Sequence, residues 1–478
     1  MSHRQTLSNS SPQGFYLGLQ PLPAWIAILG LVIFSAACIV AGAGSILRLT
    51  FPLLSFVVGV FLYWRYPILY LGFTWWMWFL TPLVRRLMDH HSGWVDPNPI
   101  LLSPYLVTLI TSATLFKNLP RSYRQGGLPF ILAFTGIFYG FLIGLIKTSL
   151  VTAARSVLDW LVPVLLGFHL FVNWRDYPKL RQNMQRTFLW GVLVMGGYGV
   201  LQYLVAPDWD RFWLINSEMT TFGSPEPFKI RVWSTMASSG PFAGTMMAAL
   251  LLLFSSKDPL RIPASAVGYL SFLLTLVRTM WGAWALGVII LISSLKARLQ
   301  MRLIITIMIL GICVFPLATI EPFSTFISNR LQTFSDLKED SSFNERSDIY
   351  DQKLNLALST GLGKGIGNVF MINDKGALEK IVVDSGILDM FFTLGWFGAI
   401  PYLGGMLLLI FKLFQSPETR FDPFMSAARA ISVSIFATLI IGSVMLGVTG
   451  VVFWGFLGIG VAAHKYYQHQ RSAGIKRN

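Results

Sequence analysis

The chain has 478 residues, of which 54% are hydrophobic and only 12% charged, with a formal net charge of +15. A soluble domain carries about 25% charged residues, so the composition excludes an ordinary soluble protein and indicates a polytopic membrane protein. The basic residues sit mostly in short loops between apolar blocks, which makes the positive charge a matter of membrane topology, and no nucleic-acid partner is expected.

In chain order, Met1 to Pro21 lacks a charged n-region followed by a short apolar core and a cleavage site. The first apolar block, Ala24 to Ala43, is long enough to span and is expected to be a retained helix. About fourteen spans are expected, on residues 24–43, 50–64, 67–84, 100–117, 127–146, 155–173, 187–205, 235–255, 262–277, 280–295, 303–320, 396–413, 427–446 and 449–464. The ninth and tenth are so close that a hairpin is the natural reading. The expected fold is therefore an all-α polytopic membrane protein of about fourteen transmembrane helices, with one large extracytoplasmic loop containing short helices. Its divisions are a cytoplasmic N-terminal tail (1–23), spans one to eleven (24–320), the loop (321–395), spans twelve to fourteen (396–464) and a basic cytoplasmic tail (465–478).

Orientation follows from the loops. With the N-terminus inside, the cytoplasmic segments collect Arg65, Lys117, Arg121, Arg124, Arg175, Lys179, Arg181, Arg186, Lys257, Arg261, Lys296, Arg298, Arg302, Lys412, Arg420 and the tail residues Lys465, Arg471, Lys476 and Arg477. That is roughly twice as many Lys/Arg as the short outer loops hold, with the Arg85–Arg86 pair as the clearest exception. Both termini are then cytoplasmic, 321–395 faces outward, and membrane lipids are the immediate partners.

Three arginines stand on the outer side. Arg278 lies between two apolar helices with almost no loop, either as a snorkelling, topology-setting residue or as a ligand for a phosphate at the membrane surface. Arg231 opens a segment rich in small residues, Ser238, Ser239, Gly240 and Gly244, which suits close helix packing or the close approach of a pyrophosphate. Arg346 falls in a short amphipathic helix expected over 344–358, ended by the run Gly361-Leu-Gly363-Lys-Gly365-Ile-Gly367. That run is not a P-loop, because Lys364 lacks a following Ser/Thr and no strand precedes it; Gly361 reads most simply as a helix C-cap. Arg155 and Asp159 stand one turn apart at the outer end of the sixth span, as an ion pair easing burial or as a functional carboxylate. Cys38 and Cys313 lie in apolar blocks, and His90–His91 has no supporting cluster beyond Asp89 and Asp96, so neither a disulfide nor a metal site is expected.

Taken together, these segments resemble the O-antigen ligase and O-antigen polymerase superfamily of bacterial surface-polysaccharide assembly. Arg231-Val-Trp-Ser-Thr with Gly240-Pro-Phe-Ala looks like the family's arginine segment entering a central span. Leu273-Leu-Thr-Leu-Val-Arg278-Thr-Met-Trp-Gly-Ala-Trp284 looks like its arginine hairpin, although Val277 stands where the family has serine. Arg346 followed by Gly361-Leu-Gly-Lys-Gly-Ile-Gly367-Asn is similar to its arginine helix and glycine run. Asp384-Ser-Gly-Ile-Leu-Asp-Met with Leu394-Gly-Trp-Phe-Gly398 matches its last motif, with Asp384-Ser385 where ligases carry histidine, which favours a polymerase.

The resemblance implies a glycosyltransferase of the bacterial inner membrane. It would polymerise polyprenyl-pyrophosphate-linked oligosaccharide repeat units with inversion and without a metal or other cofactor. Ligase-type transfer to an acceptor and a small-solute transporter are the alternatives, and a chain-length regulator is a candidate partner. Asp384, Arg346 and Arg278 would be catalytic. Arg231, Arg278, Arg346, Gly363, Gly365, Gly367, Arg155 and Asp159 would hold the pyrophosphate and glycan, with Asp348, Asp159 and Glu345 as other candidates for the base that takes up the proton.

Overall fold

The computed structural model describes residues 21–295, scattered positions from 297 to 308, and residues 361–368, 370–372, 378–380 and 385–474. Arg346, Asp384, Asp348, Glu345, Cys313, the eleventh expected span and the expected helix over 344–358 lie outside the described residues.

The described chain is overwhelmingly helical. Its helices are α1 (Leu22–Val40), α2 (Gly44–Arg65), α3 (Pro67–Ser92), α4 (Ser103–Leu109), α5 (Ser112–Ser122), α6 (Leu128–Lys147), α7 (Leu150–Val172), α8 (Tyr177–Val205), α9 (Asp208–Asn216) and α10 (Ser239–Leu253). There follow α11 (Arg261–Leu273), α12 (Arg278–Ser294), α13 (Gly386–Phe414), α14 (Pro423–Thr438) and α15 (Gly447–Ser472). Two short antiparallel strands, β1 (Phe370–Ile372) and β2 (Leu378–Lys380), pair Met371 with Glu379. Among the described residues nine helical segments are long and apolar enough to cross a membrane, and α10 and α12 are shorter apolar helices. The tight hairpin expected between the ninth and tenth spans is the turn from Leu274 to Val277.

Several boundaries differ from the sequence reading; α8 begins at Tyr177 where 187 was expected, and α14 ends at Thr438 where 446 was expected. The helix expected at 396–413 begins at Gly386, where the Ser385 hydroxyl accepts from the Leu388 amide, and Gly395 (φ +65°) interrupts it. Residues 386–394, assigned from sequence to the polar loop, are apolar enough to form its first turns.

Small residues let the helices close together, as expected where lipid offers no hydrophobic drive for helix association. Gly136, Gly140 and Gly144 recur every fourth residue on α6 and face α13 and the stretch around Ile366; a Cβ at Gly136 would sit 2.4 Å from the Gly398 carbonyl oxygen. On α7, a Cβ at Gly167 would lie 2.5 Å from the Trp454 oxygen of α15. Helix α15 is buried on every side from Thr449 to Ala463, which makes it the axis of the bundle, whereas α1 and α2 present Ile26, Ile33, Leu49 and Val57 outward.

The end of the bundle where α15 terminates is clasped by two buried acids. Asp422 accepts from the hydroxyls of Tyr177 (2.5 Å) and Tyr467 (2.9 Å) and pairs with Arg181 at 3.4 Å. Glu418, in the turn Pro417–Arg420, pairs with His464 Nδ1 at 2.9 Å and with Arg471. Burial alone would push the Glu418 carboxyl up, but the His464 hydrogen bond and the Arg471 charge outweigh it and hold the carboxyl below its usual value. A depressed acid stabilises the fold above its unfolded value and loses that contribution as pH falls through its folded value. Wild-type protein in detergent should therefore lose thermal stability below about pH 4. Glu418→Gln should start lower at neutral pH and show a shallower acid loss; parallel curves for the two would remove Glu418 from the account.

Candidate functional site

At the opposite end of the bundle α3, α6, α8 and α11 finish and α4, α7, α10, α12, α13 and α15 begin. The residues singled out by sequence that are described here, Arg155, Asp159, Arg231, Arg278 and the glycine run, all belong to this end.

An ion pair at this end involves Arg86, one of the two arginines that made the Arg85–Arg86 exception in the sequence. Arg86 of α3 is 1% exposed, and its Nε lies 2.8 Å from Oδ1 of Asp210, a fully buried residue of α9. The other guanidinium nitrogens donate to the Met236 and Ser234 carbonyls. Asp210 also accepts from Tyr198 Oη at 2.7 Å and Gln202 Nε2 at 2.9 Å. The Gln202 carbonyl oxygen in turn accepts from the amides of Trp233 (3.1 Å) and Ser234 (2.8 Å). A non-helical segment buried in a membrane protein must have its backbone groups satisfied from within. Here Arg86, Asp210 and Gln202 do this for residues 233–236, and they allow Ser234 its left-handed φ of +54°.

The neighbouring Arg85 is neutralised too, through Asp89 (3.1 Å) and Asp96 (3.1 Å), and Asp89 is shared with Arg48. The two arginines that depart from the loop-charge bias expected from the sequence are thus paired with acids, Asp89, Asp96 and Asp210. The usable signal was the coincidence of those arginines with these acids.

The segment fixed in this way carries Arg231. Its Nε donates to the Thr275 carbonyl at 2.7 Å and its Nη2 to the Leu276 carbonyl at 3.3 Å. The Val232 amide donates to the Leu274 carbonyl at 3.1 Å. Leu276 sits at φ +55°, a strained conformation for a leucine, immediately before α12 opens with the half-buried Arg278. Arg231 and the turn leading into Arg278, far apart in sequence, are therefore in direct contact. Arg231 spends these donors on backbone carbonyls, so in this arrangement it holds the turn.

The glycine run forms a strap between α6 and α13. The amides of Lys364, Gly365 and Ile366 donate to the carbonyls of Phe392 (2.8 Å), Thr393 (2.9 Å) and Gly140 (2.9 Å). Lys147 Nζ donates to the Gly363 carbonyl at 2.6 Å. Gly365 has φ +89°, and a Cβ there would lie 2.4 Å from the Gly144 amide nitrogen. A Cβ at Gly363 would lie 2.3 Å from the Gly395 amide nitrogen, and one at Gly367 3.2 Å from Ala153 Cα. Three amides of the run, those of Lys364, Gly365 and Ile366, are thus spent on carbonyls, and the glycines allow close contact and positive backbone angles.

Two carboxylates complete this end. Asp159 of α7 accepts from the Tyr105 hydroxyl of α4, while Arg155, one turn earlier, is exposed. Asp389, in the first turns of α13, accepts from Thr393 Oγ1 at 3.0 Å and from Ser443 Oγ at 2.6 Å. Among the described residues no group of His, Cys, Asp and Glu is arranged to hold a metal ion; the His90 ring packs edge-on against His91 and Phe212.

Compared with models of known protein families and with curated protein sequences, the chain matches none.

Removing one partner of a buried ion pair leaves an uncompensated charge. Arg86→Met is therefore expected to cost about 3–5 kcal/mol of stability in detergent. Combining it with Asp210→Leu should restore part of that loss. A loss under about 1 kcal/mol for the single variant, in thermal or denaturant unfolding, would show that the pair is not what holds this end.

Proposed function

We propose that this protein is a bacterial inner-membrane glycosyltransferase that polymerises polyprenyl-pyrophosphate-linked repeat units into a surface polysaccharide, in the manner of the O-antigen polymerases. The observation that carries the reading is the contact between stretches that resemble that superfamily and are widely separated in sequence. The Arg231 segment is hydrogen-bonded to the turn that opens on Arg278, and the glycine strap is hydrogen-bonded to the first turns of α13. Such pairing is what a shared site at one end of the bundle requires.

In this reading about fourteen spans place both termini in the cytoplasm and the loop 321–395 outside. A glycan on a polyprenyl pyrophosphate is already activated, so transfer needs cations for the departing pyrophosphate and a base for the attacking sugar hydroxyl. Arg278, at the N-terminus of α12, joins a guanidinium to a helix end that favours anions. Arg346 is the second cation and Asp384 a candidate base, both in the polar loop.

In a deletion strain, Arg278→Ala and Arg346→Ala should each cut polymer per folded protein about a hundredfold. Lysine at either position should rescue only in part, because it lacks the planar fork that grips two phosphate oxygens. Lipid extracts should accumulate single repeat units on the carrier. Polymer stranded on the carrier would indicate a ligase instead, and wild-type yield from both alanine variants would favour a transporter.

A further inference from the structure

A base in such a transfer must meet three conditions. It must be a carboxylate on the same end as Arg278. It must be free of a neutralising cation, and it must lie where an incoming hydroxyl can replace a donor it already has. Asp389, which sequence reasoning did not single out, meets all three among the described residues. Both of its oxygens accept from neutral hydroxyls, Thr393 Oγ1 and Ser443 Oγ, and it ion-pairs with no described basic side chain. Asp89, Asp210, Glu418 and Asp422, by contrast, are each paired with an arginine. Ser443 is exposed, so a sugar hydroxyl in its place would stand at hydrogen-bond distance from Asp389 Oδ2.

The surroundings fix this carboxylate in position. The Gly386 amide donates to the Leu439 carbonyl at 2.8 Å, and Ser385 caps the helix below it. Thr393, which orients Oδ1, belongs to the residue pair whose carbonyls receive the strap amides of Lys364 and Gly365. The glycine strap therefore holds the turn of α13 on which the carboxylate stands.

We infer that Asp389 is the base of the transfer, an assignment that rests on the glycosyltransferase reading above. The acceptor hydroxyl oxygen bonds to the anomeric carbon as the bond from that carbon to the pyrophosphate oxygen breaks. The bonding pair stays on that oxygen, so the polyprenyl pyrophosphate leaves as the anion, and the hydroxyl proton passes to Asp389.

The test uses the full-length protein in lipid nanodiscs, with the polyprenyl-pyrophosphate-linked repeat unit as both donor and acceptor. Asp389→Asn keeps the shape and the hydrogen-bond acceptor on one side. It should transfer about 10²–10⁴-fold more slowly. Its KM should change little, and the acid limb of the wild-type pH profile should disappear. Asp389→Asn with near-wild-type rates, or with its acid limb intact, would overturn the assignment while leaving the transferase reading in place. If Asp389→Asn fails to fold, Asp389→Glu decides: slower transfer with a displaced acid limb supports the base, and a profile identical with wild type overturns it. A folded wild-type protein that makes no polymer would refute the transferase reading and the base with it.

Discussion

The end of the bundle that carries Arg231 and Arg278 depends on one buried ion pair, Arg86 with Asp210. Taking two charges out of water costs several kcal/mol per ion, and the attraction between them offsets this only when the remaining donors and acceptors are also satisfied. Here they are used: Arg86 reaches the Ser234 and Met236 carbonyls, while Asp210 collects Tyr198 and Gln202. The network ties α3, α8 and α9 to an irregular segment that a membrane protein could not otherwise keep at this depth. Everything the segment carries follows, from Arg231 to the strained turn before Arg278.

The second constraint is contact between backbones. Gly140 and Gly144 on α6, Gly363 and Gly365 in the strap and Gly395 on α13 leave almost no room for a side chain. Small residues at helix crossings are the general solution in membranes. In this protein they also decide where α13 bends and which carbonyls, Phe392 and Thr393, meet the strap. The same feature that suggests a phosphate loop in the sequence is, in three dimensions, a clamp on a helix.

How much was legible in the sequence follows from which forces are local. Apolar blocks of spanning length are set by hydropathy alone, and each of α1 to α3, α6 to α8, α13 and α15 overlaps an expected span. The start of α13 was missed because Gly386–Leu394 is short and adjoins polar sequence, so its helicity depends on the Ser385 cap and the Leu439 carbonyl. Arg278 stood out because an arginine between apolar helices is costly, and Arg231 because it opens a segment rich in small residues. Their contact through Thr275 and Leu276 could not be read, since no local pattern encodes a hydrogen bond to a distant carbonyl. The Arg85–Arg86 exception was visible, but the partnership of Arg86 with Asp210 was hidden for the same reason.

The central claim is that the Arg231 segment and the Arg278 turn are held against each other by the Arg86 network. The Val232 amide donates to the Leu274 carbonyl at 3.1 Å, so the two backbones are in contact and a cysteine pair at these positions probes that contact. With Cys38 and Cys313 replaced, oxidation of the Val232→Cys, Leu274→Cys protein in membranes should give a cross-link in high yield. The same oxidation in an Arg86→Met background should give little. A cysteine pair that does not cross-link with Arg86 present, or that cross-links equally well without it, would contradict the account.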